Sequence, residues 1–158
     1  MSELEAKLRA LGYVLSPAYK FSKPNRTGCL VVDKIVYVSG HGPDLPKWPG
    51  VRHQGKVPTE VSLEEAYFTA RVVGLSILAS LKQVLGDFDR LKRVIRLFGM
   101  VKVAPGFTQM PKVIDGASDL FFELLGDPNG KHARTAIGVA ELPNAIPVEI
   151  NGKFEIFA

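Results

Sequence analysis

The chain has 158 residues, of which 46% are hydrophobic and 23% are charged, and its formal net charge is +4. A chain of this length suits one domain, residues 1–158, and buries about two-thirds of its unfolded surface. The composition is typical of a globular protein and excludes a disordered chain. The start, Met1 to Glu5, is acidic and has no long apolar core, so we expect no signal peptide. We also expect no membrane span, since no apolar run approaches roughly 20 residues.

Cysteine and histidine usage narrows the chemistry further. The only cysteine, Cys29, excludes an internal disulfide and favours a cytoplasmic protein. It lies in an apolar run with no histidine nearby, which favours a small buried side chain over a nucleophile. The histidines at 41, 53 and 132 lack the spacing of metal ligands, so we expect no metal.

The basic residues are dispersed except for a small cluster at Arg90, Lys92, Arg93 and Arg96. A nucleic-acid patch and a set of solvated side chains at a strand start are both compatible with this cluster. Aromatic residues are not interleaved with the basic ones, as a stacking platform for single strands would need. We therefore expect no nucleic acid as a partner.

The first half of the chain predicts a helix, a loop and a hairpin. Leucines at helical spacing predict a short helix over 2–11, and a polar, proline-bearing loop follows and completes an N-terminal extension of residues 1–25. Two β-branched runs, 29–32 and 35–39, flank the tight turn Asp33-Lys34. The next step, Gly40-His41-Gly42-Pro43, is either a simple turn or a place where the backbone approaches a ligand closely. Residues 44–59 predict a long loop, whose role stays open.

Two long helices and a strand make up the middle of the chain. Ser62 and Glu65 form a capping-box pattern before an apolar stripe that ends near Gly86. Residues 94–103 predict a strand. A second helix begins near Pro111 and ends before Gly126, because proline suits a first helical turn.

The last third predicts two strands, 133–140 and 148–156, joined by a turn at Pro143-Asn144. Such a hairpin would bring Arg134 and Glu149 into the same neighbourhood. One interpretation is structural, in which the two charges form an ion pair or are solvated at the surface. The other is functional, in which the guanidinium binds an anion beside a carboxylate that orients water. The ββαβαββ order predicts an α+β fold with helices on one face of a sheet.

Four short segments of this region carry a resemblance. Ala133-Arg134-Thr135, Val139-Ala140, Leu142-Pro143 and Val148-Glu149-Ile150 follow each other, and Val36 to Gly40 precedes them as a strand that ends in Ser-Gly. Together they resemble the Rid family, also called the YjgF/YER057c/UK114 family, over roughly residues 26–157.

The resemblance implies a chorismate-mutase-like α+β fold with a mixed β-sheet, two main helices on one face and here an extra short N-terminal helix. It also implies a homotrimer with pockets between subunits, and hydrolysis of enamines and imines to 2-keto acids and ammonia without a cofactor. By the same resemblance Arg134 grips the substrate carboxylate and Glu149 orients the attacking water. Ser39 and Gly40 line the pocket, and the backbone at Ala136 contacts substrate or water.

The chain departs from the deaminase branch of that family at several pocket positions. Asp115 takes the place of an asparagine, Phe21 that of a tyrosine, and His132 and Ala136 those of a proline and a cysteine. These departures, the N-terminal extension and the run Gly116-Ala117-Ser118 resemble a longer, less characterised sub-branch. Two functions stay open, a hydrolase of 2-imino acids and a non-catalytic trimeric protein that binds or senses a small carboxylate metabolite. A ribonuclease is disfavoured, since no acid/base pair near a basic groove is evident.

Overall fold

The computed structural model describes residues 2–158 of the chain, which form three helices and five strands. Each predicted helix and strand is present, and most bounds agree within two residues; the third strand begins three residues earlier than predicted. In chain order the elements are α1 (Glu3–Ala10), β1 (Cys29–Val32), β2 (Ile35–His41), α2 (Leu63–Leu85), β3 (Leu91–Lys102), α3 (Met110–Leu125), β4 (Ala133–Val139) and β5 (Val148–Ile156).

The five strands form one mixed sheet in the order β1-β2-β5-β3-β4. β3 and β4 run parallel, as expected for strands connected through a helix, and the other pairs are antiparallel. α2 and α3 pack against each other and cover one face of this sheet. On that face Phe154 of β5 contacts Phe121 of α3, with ring centroids 5.4 Å apart. The predicted α+β architecture is therefore confirmed.

The predicted hairpin of the last two strands is wrong. β4 pairs only with β3, whereas β5 inserts between β2 and β3. The eight residues between Val139 and Val148 are too many for a tight hairpin turn and allow the chain to pass β3. Alternating side chains predict a strand but not its partner, so the sequence pattern missed this crossing. β3 consequently separates Arg134 on β4 from Glu149 on β5.

The capping box that begins α2 is present as predicted. The backbone N–H of Glu65 donates to Ser62 Oγ, and the backbone N–H of Ser62 donates to Glu65 Oε1, both at 3.0 Å. Contrary to our expectation, α2 is long and apolar enough to span a membrane, but 72% of its most apolar stretch is buried within the domain. α2 is therefore the core helix of the fold.

Burial makes Cys29 an unreactive thiol. Its side chain lies in the hydrophobic core, and desolvation raises its pKa to about 12. Because the thiolate is the nucleophile, we expect alkylation by iodoacetamide at about pH 8 to be roughly 10³-fold slower than for a free cysteine. Mass spectrometry of native and guanidinium-unfolded protein measures this difference. Equal rates in both states would show that Cys29 is accessible.

Candidate functional site

The end of β2 is distorted in a way that brings two predicted site residues together. Its pairing with β5 shifts register between Val38 and His41, which places Gly40 against the Glu149 carboxylate. A Cβ at Gly40 would overlap Glu149 Oε2, so a larger residue there would displace the Glu149 carboxylate. Ser39 Oγ donates to the Thr27 carbonyl at 2.6 Å.

Glu149 lines a cavity of about 310 Å³ at this end of β2. Burial raises the pKa of Glu149, and the nearby Asp44 carboxylate raises it further. Asp44 itself accepts a hydrogen bond from Asn144 Nδ2 at 2.9 Å. A carboxyl group with a raised pKa inside a cavity is suited to accept or donate a proton. The other lining residues with polar or aromatic side chains are Tyr19, Phe21, Arg26, His41 and Ser80.

His41 is a cavity residue that the sequence analysis left without a role. Its Nδ1 lies 2.6 Å from the Ser39 carbonyl, which only accepts, so Nδ1 carries the proton. Its Nε2 lies 2.7 Å from Ser80 Oγ on α2. Burial lowers the pKa of His41, which favours a neutral imidazole that accepts from the Ser80 hydroxyl. The partner is 39 residues away in sequence, so no local pattern indicates this pair.

Arg134 lies in a second polar cluster, against α3. Its Nη1 donates to Asp115 Oδ1 at 2.7 Å and to Ser118 Oγ at 3.1 Å. Ser118 Oγ lies 2.9 Å from His132 Nε2, and His132 Nδ1 donates to the Gly130 carbonyl at 2.7 Å. The Arg134 side chain is 23% exposed, so solvent and ligands can reach it. Arg134 and Asp115 are thus neighbours, and Ser118 and His132 complete the cluster.

The two clusters face opposite sides of the sheet. Arg134 pairs with the fully buried Leu97 and points toward α3. Glu149 lies between Val148 and Ile150, which are fully buried under the helices, so it projects from the open face. One chain therefore carries two separate clusters. The Glu149 cluster includes Gly40 and Phe21. The Arg134 cluster includes Asp115 on α3, and Ala136 follows Arg134 on the edge strand β4.

The described residues offer little to a metal ion. Within residues 2–158, no group of three His, Cys, Asp or Glu side chains lies close enough to bind one. The side chains of the two clusters supply carboxylates, guanidinium groups, imidazoles and hydroxyls.

Residues 6–148 match the family model described as "YjgF/chorismate mutase-like, putative endoribonuclease". The chain belongs to this family. Because this is the YjgF family, the resemblance to the Rid (YjgF/YER057c/UK114) family is confirmed. The chain is also 35% identical to Protein TCP17 of Trypanosoma cruzi over 152 residues, which is 96% of this chain and 92% of that protein.

Solved structures resemble the chain at two levels of similarity. Protein Atu1372 of Agrobacterium tumefaciens, described as of unknown function, is 35% identical with a TM-score of 0.87, over 98% of this chain and 93% of that one. A "putative endoribonuclease" of Shewanella oneidensis is 28% identical with a TM-score of 0.87, over 96% and 98% of the two chains. RidA of a Psychrobacter species is 21% identical, with a TM-score of 0.58 over 88% and 94%, and shows the fold alone.

Proposed function

We propose that this Rid-family protein is a cytoplasmic hydrolase that converts reactive 2-imino acids, or their enamine tautomers, to 2-keto acids and ammonia. The observation that carries this proposal is the half-buried Glu149 carboxyl group, whose pKa is raised, beside a glycine that leaves room in a cavity. The overall reaction adds one water to the C=N carbon and releases ammonia. No covalent nucleophile is needed, since such imines hydrolyse unaided and gain mainly from positioning.

Glu149 has the role of the base in this scheme. Its carboxylate takes a proton from the attacking water and can return it to the nitrogen as ammonia leaves. Burial and the Asp44 charge raise the pKa of Glu149, which strengthens it as a base. His41 and Ser80 lie in the same cavity wall. Both are neutral, so neither lowers the pKa of Glu149 as a cation at that position would.

Arg134 has the role of the carboxylate clamp, although Asp115 now occupies one of its donors. A guanidinium has five donors, so a substrate carboxylate can share Arg134 or displace Asp115. The 46% exposure of the Asp115 side chain makes displacement feasible because Asp115 can be solvated once released.

In this proposal the chain assembles as a homotrimer, and the complete pocket forms between two of its copies. Arg134 and Glu149 face opposite sides of the sheet, so a second copy has to supply one of them to a shared pocket. The sheet face opposite the helices also carries large exposed apolar side chains, Leu30 (56%), Val32 (48%) and Tyr37 (43%). Such a face on an otherwise ordinary globule is typical of a subunit interface.

The test couples the purified protein to an amino-acid oxidase that generates imines from a panel of amino acids, and follows keto-acid formation. We expect the wild type to accelerate it and Arg134→Ala to return it to the uncatalysed rate. Arg9→Ala, a change of the same size and charge on the exposed face of α1, serves as the matched control. Size-exclusion chromatography with light scattering checks that all three proteins are trimers.

Normal turnover by a trimeric Arg134→Ala protein would contradict the proposal. Acceleration by none of the three proteins would also contradict it and would favour the second function below.

Removal of the Asp115 charge is expected to strengthen carboxylate binding. Asp115→Asn keeps the side-chain shape but leaves Arg134 without its competing carboxylate, so KM for a 2-imino acid should fall about three- to tenfold. Steady-state kinetics in the oxidase-coupled assay measures KM, and Asp119→Asn, on the same helix, is the control. A raised KM would show instead that Asp115 positions Arg134 for the substrate.

The second function is a non-catalytic binding protein for a small carboxylate, and the Arg134–Asp115 contact favours it. An arginine already held at 2.7 Å by a carboxylate is suited to exchange one anion for another without chemistry. This function predicts that 2-keto acids raise the melting temperature of the wild type but not of Arg134→Ala, and that no imine is turned over.

A further inference from the structure

A second cavity adjoins the Glu149 cavity and has the opposite charge. Its volume is about 380 Å³, and its charged lining residues are Lys20, Lys23 and Arg26. No acidic side chain lines it. The Glu149 cavity, in contrast, contains the carboxylates of Glu149 and Asp44. The two carboxylates therefore lie in one compartment and the two lysines in the other, while Arg26 lines both.

The two compartments are continuous along one wall. Tyr19, Phe21, Arg26 and Ser80 line both of them. The rings of Tyr19 and Phe21 meet edge to face with centroids 5.2 Å apart, and the Arg26 guanidinium lies 5.4 Å from the Phe21 centroid. These contacts hold Arg26 at the junction, where it can reach a ligand that extends through both compartments.

The ordinary alternative is that these three cations are solvated side chains of a surface loop. All three residues are exposed, as that alternative expects, but their lack of a nearby carboxylate around one cavity argues against it. Within residues 2–158, Lys7, Lys82 and Lys92 line other cavities, and each lies within 4.0 Å of a carboxylate. Among the described residues, Lys20, Lys23 and Arg26 have no such contact, and the Arg26 guanidinium donates only to the neutral Asn25 side chain. Three cations without counter-ions around one concavity attract an anion.

We propose that the basic cavity binds an anionic group at the far end of the substrate's side chain. The substrate class is then a 2-imino acid whose side chain ends in a carboxylate or a phosphate. This inference rests on the proposed function. The reacting C=N carbon lies at Glu149, the first carboxylate at Arg134 of a neighbouring copy, and the terminal anion among Lys20, Lys23 and Arg26.

The test compares imines of acidic amino acids with imines of neutral ones of equal length in the oxidase-coupled assay. We expect kcat/KM to be about tenfold higher for the acidic class. In Lys20→Gln/Lys23→Gln this ratio falls at least about fivefold, whereas Lys34→Gln/Lys56→Gln, which removes two exposed lysines elsewhere, keeps it. All solutions have the same ionic strength, because salt screens exposed charges. Equal or better turnover of neutral imines by the wild type, or an unchanged ratio in the first variant, overturns the inference and leaves the proposed function standing.

Binding measurements distinguish failure of this inference from failure of the proposed function. If no imine is hydrolysed, the proposed function fails, and isothermal titration calorimetry then compares 2-oxoglutarate and a phosphorylated 2-keto acid with 2-oxobutyrate. If either dianion binds about fivefold more tightly than 2-oxobutyrate, and Lys20→Gln/Lys23→Gln loses this difference, the basic cavity is supported as the anion site. The dianion that binds more tightly shows whether the site prefers a carboxylate or a phosphate. Equal affinities for all three compounds overturn it. Binding of single-stranded RNA, without any preference among the three keto acids, also overturns it.

Discussion

Replacement of Gly116 by alanine is expected to lower the free energy of unfolding by about 3 kcal/mol or more. Gly116 lies on α3 where this helix crosses α2. A Cβ at this position would overlap the Tyr67 carbonyl oxygen and lie 3.0 Å from the Arg71 nitrogen. Both are backbone atoms of α2, so no side-chain rotation relieves the contact and the helices have to separate. A loss of this size is a large fraction of the stability of a typical domain.

Gly106→Ala separates this steric effect from backbone strain. Gly106 has φ +87° and no atom within 4 Å of the position that a Cβ would take, so alanine there meets strain but no neighbour. We expect it to cost about 1 kcal/mol. Urea denaturation at equal protein concentration measures both variants. A Gly116→Ala protein no less stable than Gly106→Ala would mean that α2 and α3 are farther apart than described.

The close contact at Gly116 also has a functional consequence. Asp115 precedes it and Ser118 follows it by two residues, and both bind Arg134. The depth at which α3 packs on α2 therefore sets the position of the groups that hold the guanidinium. The small residues of the run 116–118 are explained by this packing, with the serine serving the arginine cluster.

Local features of the sequence predicted local structure well. Ser62 and Glu65 begin α2, the turn Asp33-Lys34 joins β1 to β2, and Gly126 ends α3, because each depends on backbone groups a few residues away. The two partners of β5 depend instead on contacts with β2 and β3, which lie far from it in sequence. Periodicity holds no information about that choice, so the hairpin prediction for Arg134 and Glu149 was wrong.

The same distinction applies to the candidate site. The resemblance to the Rid family identified Arg134, Glu149 and Gly40, but their contacts come from elements far apart in sequence. The Arg134–Asp115 contact joins a strand to a helix, and Gly40 reaches Glu149 only because β2 is bulged. His41 was missed for this reason, since its bond to Ser80 connects a strand end to the middle of α2.

Glu149→Gln is expected to reduce keto-acid formation by about 10²- to 10⁴-fold and, at the same time, to stabilise the protein. The amide keeps the shape of the carboxyl group but cannot take a proton from water. Burial and the Asp44 charge raise the pKa of Glu149 in the folded protein. The folded state therefore binds this proton more tightly than the unfolded state does, and ionisation of Glu149 costs stability.

The sign of the pH dependence follows from that shift. Below the unfolded pKa, near 4.5, Glu149 is protonated in both states and wild type and Glu149→Gln have similar melting temperatures. As the pH rises through the folded pKa, the wild type loses stability that the variant keeps. The melting temperature of the variant should therefore exceed that of the wild type at about pH 8 and converge with it at about pH 4. Glu64→Gln, an equal change of charge in the exposed first turn of α2, should not raise the melting temperature above that of the wild type at about pH 8, because a negative charge is favourable at a helix N-terminus. A Glu149→Gln protein that is less stable than the wild type at about pH 8 would mean that the carboxylate is held by favourable contacts, and its role as a poised base would have to be abandoned.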